Sequence, residues 1–134
     1  MTLAKRYTCS QHSVYNVSYH IVFCTKFRRK VLVDGAEDRL KELFMEKARE
    51  LGVLIEKMKV EPDRVDFVVR SKPTYAVHFV VHQLKAYSFR ILRKEYDFIR
   101  SRLPTLWTRS YFVETIGHIS EETMLGYIED QKKV

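Results

Sequence analysis

From Arg64 to Arg70 the chain alternates strictly, with Val65, Phe67 and Val69 on one side and Arg64, Asp66, Val68 and Arg70 on the other. A period of two is the mark of a strand that buries one face and leaves the other wet. Just upstream, Val53 to Glu61 reads as a second strand, and Pro62-Asp63 between the two is the chemistry of a tight turn. A hairpin with one apolar face cannot stand alone; it needs more strands beside it and helices over its dry side.

The remaining segments supply both. Val14 to Cys24, rich in β-branched and aromatic residues, predicts a long strand, and its apolar stretch from Tyr15 to Cys24 is expected to be an unprotected edge that pairs with another chain. Leu40, Leu43, Phe44, Lys47, Ala48 and Leu51 recur at helical spacing from about Ala36 to Leu51, and Gly52 suits the position just past a helix end. A second helix is expected from about Tyr75 to Tyr96, with Val77, Val80, Val81, Leu84, Ser88, Ile91 and Leu92 on one stripe. After a turn near Pro104 come a strand around Ser110 to Thr115 and a final helix opened by Ser120-Glu121-Glu122-Thr123. Strand, helix, strand, strand, helix, strand, helix packs most economically as an α+β fold: a single antiparallel sheet covered by helices, ferredoxin-like in outline. With 134 residues, four glycines and no linker-like tract, residues 1–134 are expected to form a single domain.

Charge narrows the partner. The net charge of +7, from 24 Lys and Arg against 17 Asp and Glu, suits a polyanion, because each cation set against a phosphate releases condensed counterions. No apolar run approaches the roughly 20 residues of a membrane helix, and the basic start of the chain has no apolar signal core behind it, so no membrane partner and a cytoplasmic location are expected. Cys9 and Cys24 lack the spacing of a zinc site and read as reduced thiols.

Lys26, Phe27, Arg28, Arg29 and Lys30 interleave cations with an aromatic ring, and Lys85, Arg90, Arg93, Lys94, Arg100, Arg102 and Arg109 add basic density. Aromatic planes stack on unpaired bases while cations follow the backbone, the combination expected of single-strand and hairpin recognition. The other reading is a solvated basic surface. His78 and His82, four apart on a helix, have the spacing of two metal ligands, but neighbouring Lys85 disfavours a cation there, so phosphate contact or plain helix surface is expected instead. His20 reads as a half-buried structural histidine.

Several blocks in order, Lys26 to Leu32, Pro62 to Val69, Leu84-Lys85, Leu106 to Val113 and Gly126 to Gln131, resemble the single-strand DNA transposases of insertion sequences, the HUH tyrosine type of the IS-two-hundred group. The resemblance runs from Val14 to Gln131. It implies a homodimer joined by sheet extension, with the last helix reaching the partner's site, and single-stranded DNA hairpins at element ends as partners. It also implies a divalent metal, Mg²⁺ or Mn²⁺, held by two histidines flanking one apolar residue, and a tyrosine that forms a covalent phosphotyrosine. Tyr127 matches the nucleophile, and Gln131, one helical turn later, matches an oxygen ligand of the same metal.

The histidines are replaced. Arg64 and Asp66 stand at their positions. A guanidinium has no acceptor and cannot ligate a metal, whereas Asp66 can. Two readings stay open: Asp66 and Gln131 hold a cation with water, or Arg64 takes the cation's place, pairing with Asp66 and a backbone phosphate. An exposed Arg64–Asp66 ion pair without function is the plainer reading. Catalysis is expected to be impaired or lost, and a non-catalytic protein that binds DNA hairpins is the alternative to a transposase.

Overall fold

The computed structural model describes residues 8–9, 14–15 and 17–118. Their elements are β1 (Thr8–Cys9), β2 (Val14–Tyr15), β3 (Val17–Cys24), α1 (Ala36–Leu51), β4 (Leu54–Glu61), β5 (Arg64–Ser71), α2 (Val77–Glu95), α3 (Asp97–Arg102) and β6 (Phe112–His118). β1 and β2 pair in a small ribbon, and the four longer strands form an antiparallel sheet in the order β4-β5-β3-β6. Two β-α-β halves interleaved in this way give the ferredoxin-like α+β fold.

The hairpin closes as the alternation predicts, Glu61 opposite Arg64 across Pro62-Asp63. α1 occupies the expected span, and Gly52 ends it with φ of 75°, a left-handed conformation that a side chain would strain. Val65, Phe67 and Val69 are buried beneath the helices together with Ile21 and Phe23. The centre of the core is aromatic: Phe23, Phe44 and Phe67 meet one another at 5.3–5.8 Å between ring centroids, and Phe23 meets Trp107 edge-on at 4.8 Å. Such tilted contacts add about 0.5–1.5 kcal/mol per pair beyond the area they bury.

Three expectations need correction. The long strand from Val14 is two strands, β2 and β3, and β3 is paired on both sides, by β5 and β6, rather than lying at an edge open to another chain. The edges of the sheet are β4 and β6, and β6 carries exposed Phe112, Val113 and Ile116. The short helix α3 lies between α2 and the Pro104 turn, where a plain connection is expected. The helix expected from Ser120 onward, with Tyr127 and Gln131, falls outside the described residues.

Candidate nucleic-acid interface and metal positions

Arg64 and Asp66 both stand on the face of β5 turned away from the helices, as the alternation requires. They do not pair with each other. Arg64 Nη1 donates to Asp63 Oδ1 at 3.0 Å, while Arg28 donates through Nε and Nη2 to Asp63 Oδ2 at 3.1 and 2.9 Å, so each oxygen of one turn carboxylate holds a different guanidinium. Burial alone would raise the pKa of Asp63. The hydrogen bond and charge of Arg28 and the charge of Arg64 outweigh it, and the net shift is downward.

Asp66 is taken instead by His20 from the neighbouring strand. Nε2 lies 2.5 Å from Asp66 Oδ1, and Nδ1 faces Glu114 Oε2 on β6 at 3.9 Å. His20 therefore sits between two carboxylates, with its ring and that of Phe112 in a T-shaped arrangement at 6.2 Å. This replaces the Arg64–Asp66 pair, while His20 is half-buried, as expected, with the carboxylates of Asp66 and Glu114 as its neighbours. Neither position 64 nor position 66 supplies an imidazole, the metal donor that the resemblance implies. No cluster of three or more His, Cys, Asp or Glu with metal-binding geometry occurs among the described residues.

The basic-aromatic segment folds as a tight turn over Lys26–Arg28, with Phe27 and Arg28 both left-handed at φ of 57° and 52°. Backbone bonds frame it: Thr25 N–H donates to Asp63 O at 2.9 Å, and Thr25 Oγ1 donates to Arg29 O at 2.7 Å. Phe27 is thrust outward, 70% exposed, with the Lys26 ammonium 5.4 Å from its ring centre. Arg28, Arg29 and Lys30 are exposed beside it.

The other candidates are spread along α2 and the segment leading into β6. Arg90 is exposed, with its guanidinium over the ring of Tyr87, and Arg109 is exposed on the 108–110 segment. Lys85 differs from them. Its ammonium donates to the carbonyls of Thr108, Arg109 and Ser110 at 2.8, 3.3 and 3.2 Å and lies over the rings of Phe23 and Tyr111, so its contacts are structural, and burial lowers its pKa. One turn on, the Oγ of Ser88 donates to Leu84 O and accepts the indole N–H of Trp107 at 3.0 Å, which explains a serine on an otherwise apolar stripe. His78 and His82 are both exposed, their rings 6.3 Å apart and 30° from parallel, and His78 faces Tyr111 at 6.5 Å and 28°.

The ferredoxin-like sheet thus carries a basic turn beside a face of paired acids and bases. Known proteins narrow the class. The family model described as "Transposase IS200 like" matches residues 13–131, and the chain belongs to that family. The ISDra2 transposase TnpA of Deinococcus radiodurans is 32% identical over 120 residues, 88% of this chain and 86% of the relative. The transposase for insertion sequence element IS200 of Salmonella typhimurium is 23% identical over 108 residues, 79% of this chain and 71% of the relative. Among solved structures, a candidate transposase from Deinococcus radiodurans superposes with a TM-score of 0.75 at 30% identity, over 92% of this chain and 97% of that one. A REP-associated tyrosine transposase bound to a REP hairpin shares the fold at a TM-score of 0.59 and 11% identity, over 94% of this chain and 73% of that one.

Proposed function

We propose that this member of the IS200-like transposase family binds hairpin-bearing single-stranded DNA as a homodimer in the cytoplasm, and that strand cleavage through Tyr127 is impaired. The observation that carries the DNA reading is the turn at Lys26–Lys30, which holds an exposed phenylalanine among four cations. A ring of that kind stacks on an unpaired base and its neighbours neutralise phosphates. Arg90 and Arg109 extend the basic surface, with Lys85 bracing the segment that carries Arg109. The hairpin-bound relative supports the same class of partner.

Impairment follows from the chemistry at positions 64 and 66. A divalent cation in such a site polarises the phosphoryl oxygen and aligns the scissile bond. Arg64 offers no lone pair and Asp66 is engaged by His20, so a metal would have only oxygen from Asp66 and Gln131, of the sort Mg²⁺ or Mn²⁺ accepts, and no imidazole at either position. The competing reading, a non-catalytic hairpin-binding protein that occupies element ends, shares the DNA surface and differs only at this step.

The test is binding of a hairpin oligonucleotide with a single-stranded arm, titrated with salt. Selective binding that weakens steeply as salt rises is expected. Equal, salt-insensitive affinity for the hairpin and for random duplex would overturn the proposal.

A further inference from the structure

The turn between β4 and β5 gathers two guanidiniums on one acid. Asp63 is largely covered, with 14% of its side chain exposed, while Arg28 and Arg64 are 61% and 42% exposed, so solvent meets the cations more than the carboxylate that holds them. Arg28 spends Nε and Nη2 on Oδ2, which leaves Nη1 without a partner among the described residues. Arg64 spends only Nη1, on Oδ1, which leaves Nε and Nη2.

The nearest other acids are engaged elsewhere. Asp66, on the same face of β5 as Arg64, is bonded to His20, and Glu61, opposite Arg64 across the hairpin, faces Lys59 at 3.3 Å. Two guanidiniums therefore stand against one carboxylate, and the group keeps a net positive charge with N–H donors to spare. Phe27 precedes Arg28 in the basic turn with its ring exposed, so an unpaired base stacked there brings a phosphate toward this pair.

We propose that Arg28 and Arg64, set side by side by Asp63, clamp one backbone phosphate of the bound DNA without a metal ion, and that Asp63 is a positioning residue of this seat. The proposal rests on the DNA-binding reading above and goes beyond it by giving Arg64 a partner outside the protein. Guanidinium is always charged, and its planar fork of donors matches phosphate oxygens. Because the bonds to Asp63 already hold both side chains, little freedom remains to be lost when the phosphate arrives.

The experiment uses the intact chain and fluorescence anisotropy with a hairpin carrying a single-stranded arm, in EDTA so that no divalent cation stands in for a guanidinium, across a series of salt concentrations. Arg64→Gln is expected to weaken binding roughly five-fold at about 0.1 M salt and to reduce the salt slope by about 0.7, the share of one single-strand phosphate. Arg28→Gln should act alike, and the double variant should lose less than the product of the two losses, because both side chains serve one phosphate. Asp63→Asn raises the net charge by one, yet is expected to weaken binding about two-fold or more, since the guanidiniums lose their common anchor. Arg49→Gln, an equal change of charge at an exposed position of α1, is the control and should leave affinity unchanged. Circular dichroism of each variant checks the fold, and Arg64→Gln, at a part-exposed side chain, decides the matter if Asp63→Asn fails to fold. If Arg64→Gln behaves like Arg49→Gln, if the two arginine losses multiply, or if a folded Asp63→Asn binds more tightly than the parent chain, the clamp is overturned while the DNA-binding reading stands. Failure of the unmodified chain to bind the hairpin would overturn both.

Discussion

His20 on β3 and Asp66 on β5 are joined at 2.5 Å, Nε2 to Oδ1, across the sheet face that also carries Arg64. The bond is diagonal, since His20 lies opposite Val68 and Asp66 opposite Val22 in the register. Both side chains remain part-exposed, at 32% and 42%. A pair so open to solvent contributes little to folding, so His20→Ala is expected to shift stability by no more than about 1 kcal/mol in urea denaturation. A loss of several kcal/mol would mean that His20 supports the core.

On the proposed reading, catalysis turns on the residues at positions 64 and 66. Removing one preorganised stabilising group typically costs roughly 100- to 1,000-fold in rate, so the unmodified chain is expected to cleave near background. Arg64→His combined with Asp66→His should restore Mn²⁺ binding and a Tyr127-dependent covalent DNA adduct on a denaturing gel. Ready adduct formation by the unmodified chain, abolished by Tyr127→Phe, would show that Asp66 and Gln131 suffice. An inactive double variant would unseat the assignment of positions 64 and 66.

Asp63 gives a prediction in pH. Its folded pKa is depressed, so its contribution to stability is present above the ordinary carboxylate value near 4 and is lost as pH falls through the lower folded value. Asp63→Asn should therefore cost about 1 kcal/mol at neutral pH, a figure held down by the exposure of Arg28 and Arg64. The gap between the variant and the parent chain should close as the medium is made more acidic than pH 4. Urea midpoints measured across that range check the sign.

Lys85→Met keeps the length of the side chain and removes three hydrogen bonds to the 108–110 carbonyls. Hydrogen bonds to a charged group contribute about 1.5–3 kcal/mol, so a loss of roughly 1–3 kcal/mol is expected, together with faster amide exchange in the segment leading into β6. If DNA affinity falls while stability is unchanged, Lys85 acts on phosphate and not as a brace.

The proposed homodimer is best sought at β6, an edge strand whose Phe112, Val113 and Ile116 are exposed. Light scattering should give twice the 16.0 kDa of the chain, and Val113→Lys with Ile116→Lys should return the monomer, since charge on an edge strand opposes pairing. A lone 16.0 kDa species at high concentration would remove the dimer.

What could be read from the sequence was what local periodicity encodes. The 3.6-residue stripe from Leu40 to Leu51 and the alternation from Arg64 to Arg70 gave α1, β5 and the face of every residue on them. α3 escaped because six residues are too short for a period to show. The central place of β3 was hidden because pairing order depends on contacts far apart in the chain. The partners of Arg64 and Asp66 were missed for a related reason: one is decided by the reach of a turn residue, the other by the register of β3 on β5. Lys85 looked like one more free cation because sequence does not reveal where three backbone carbonyls will converge.

Phe27 and Arg28, adjacent and both left-handed, set a limit on how this chain can change. That conformation costs an ordinary L-residue roughly 1–2 kcal/mol and is least tolerated by a β-branched side chain. A copy released from any need to recognise DNA would be free to lose the ring and the charges of this turn, but not to put valine, isoleucine or threonine there without disturbing the bonds that tie Thr25 to Asp63 and Arg29. Drift at positions 27 and 28 would run toward glycine and asparagine, a trace left by the backbone rather than by the ligand.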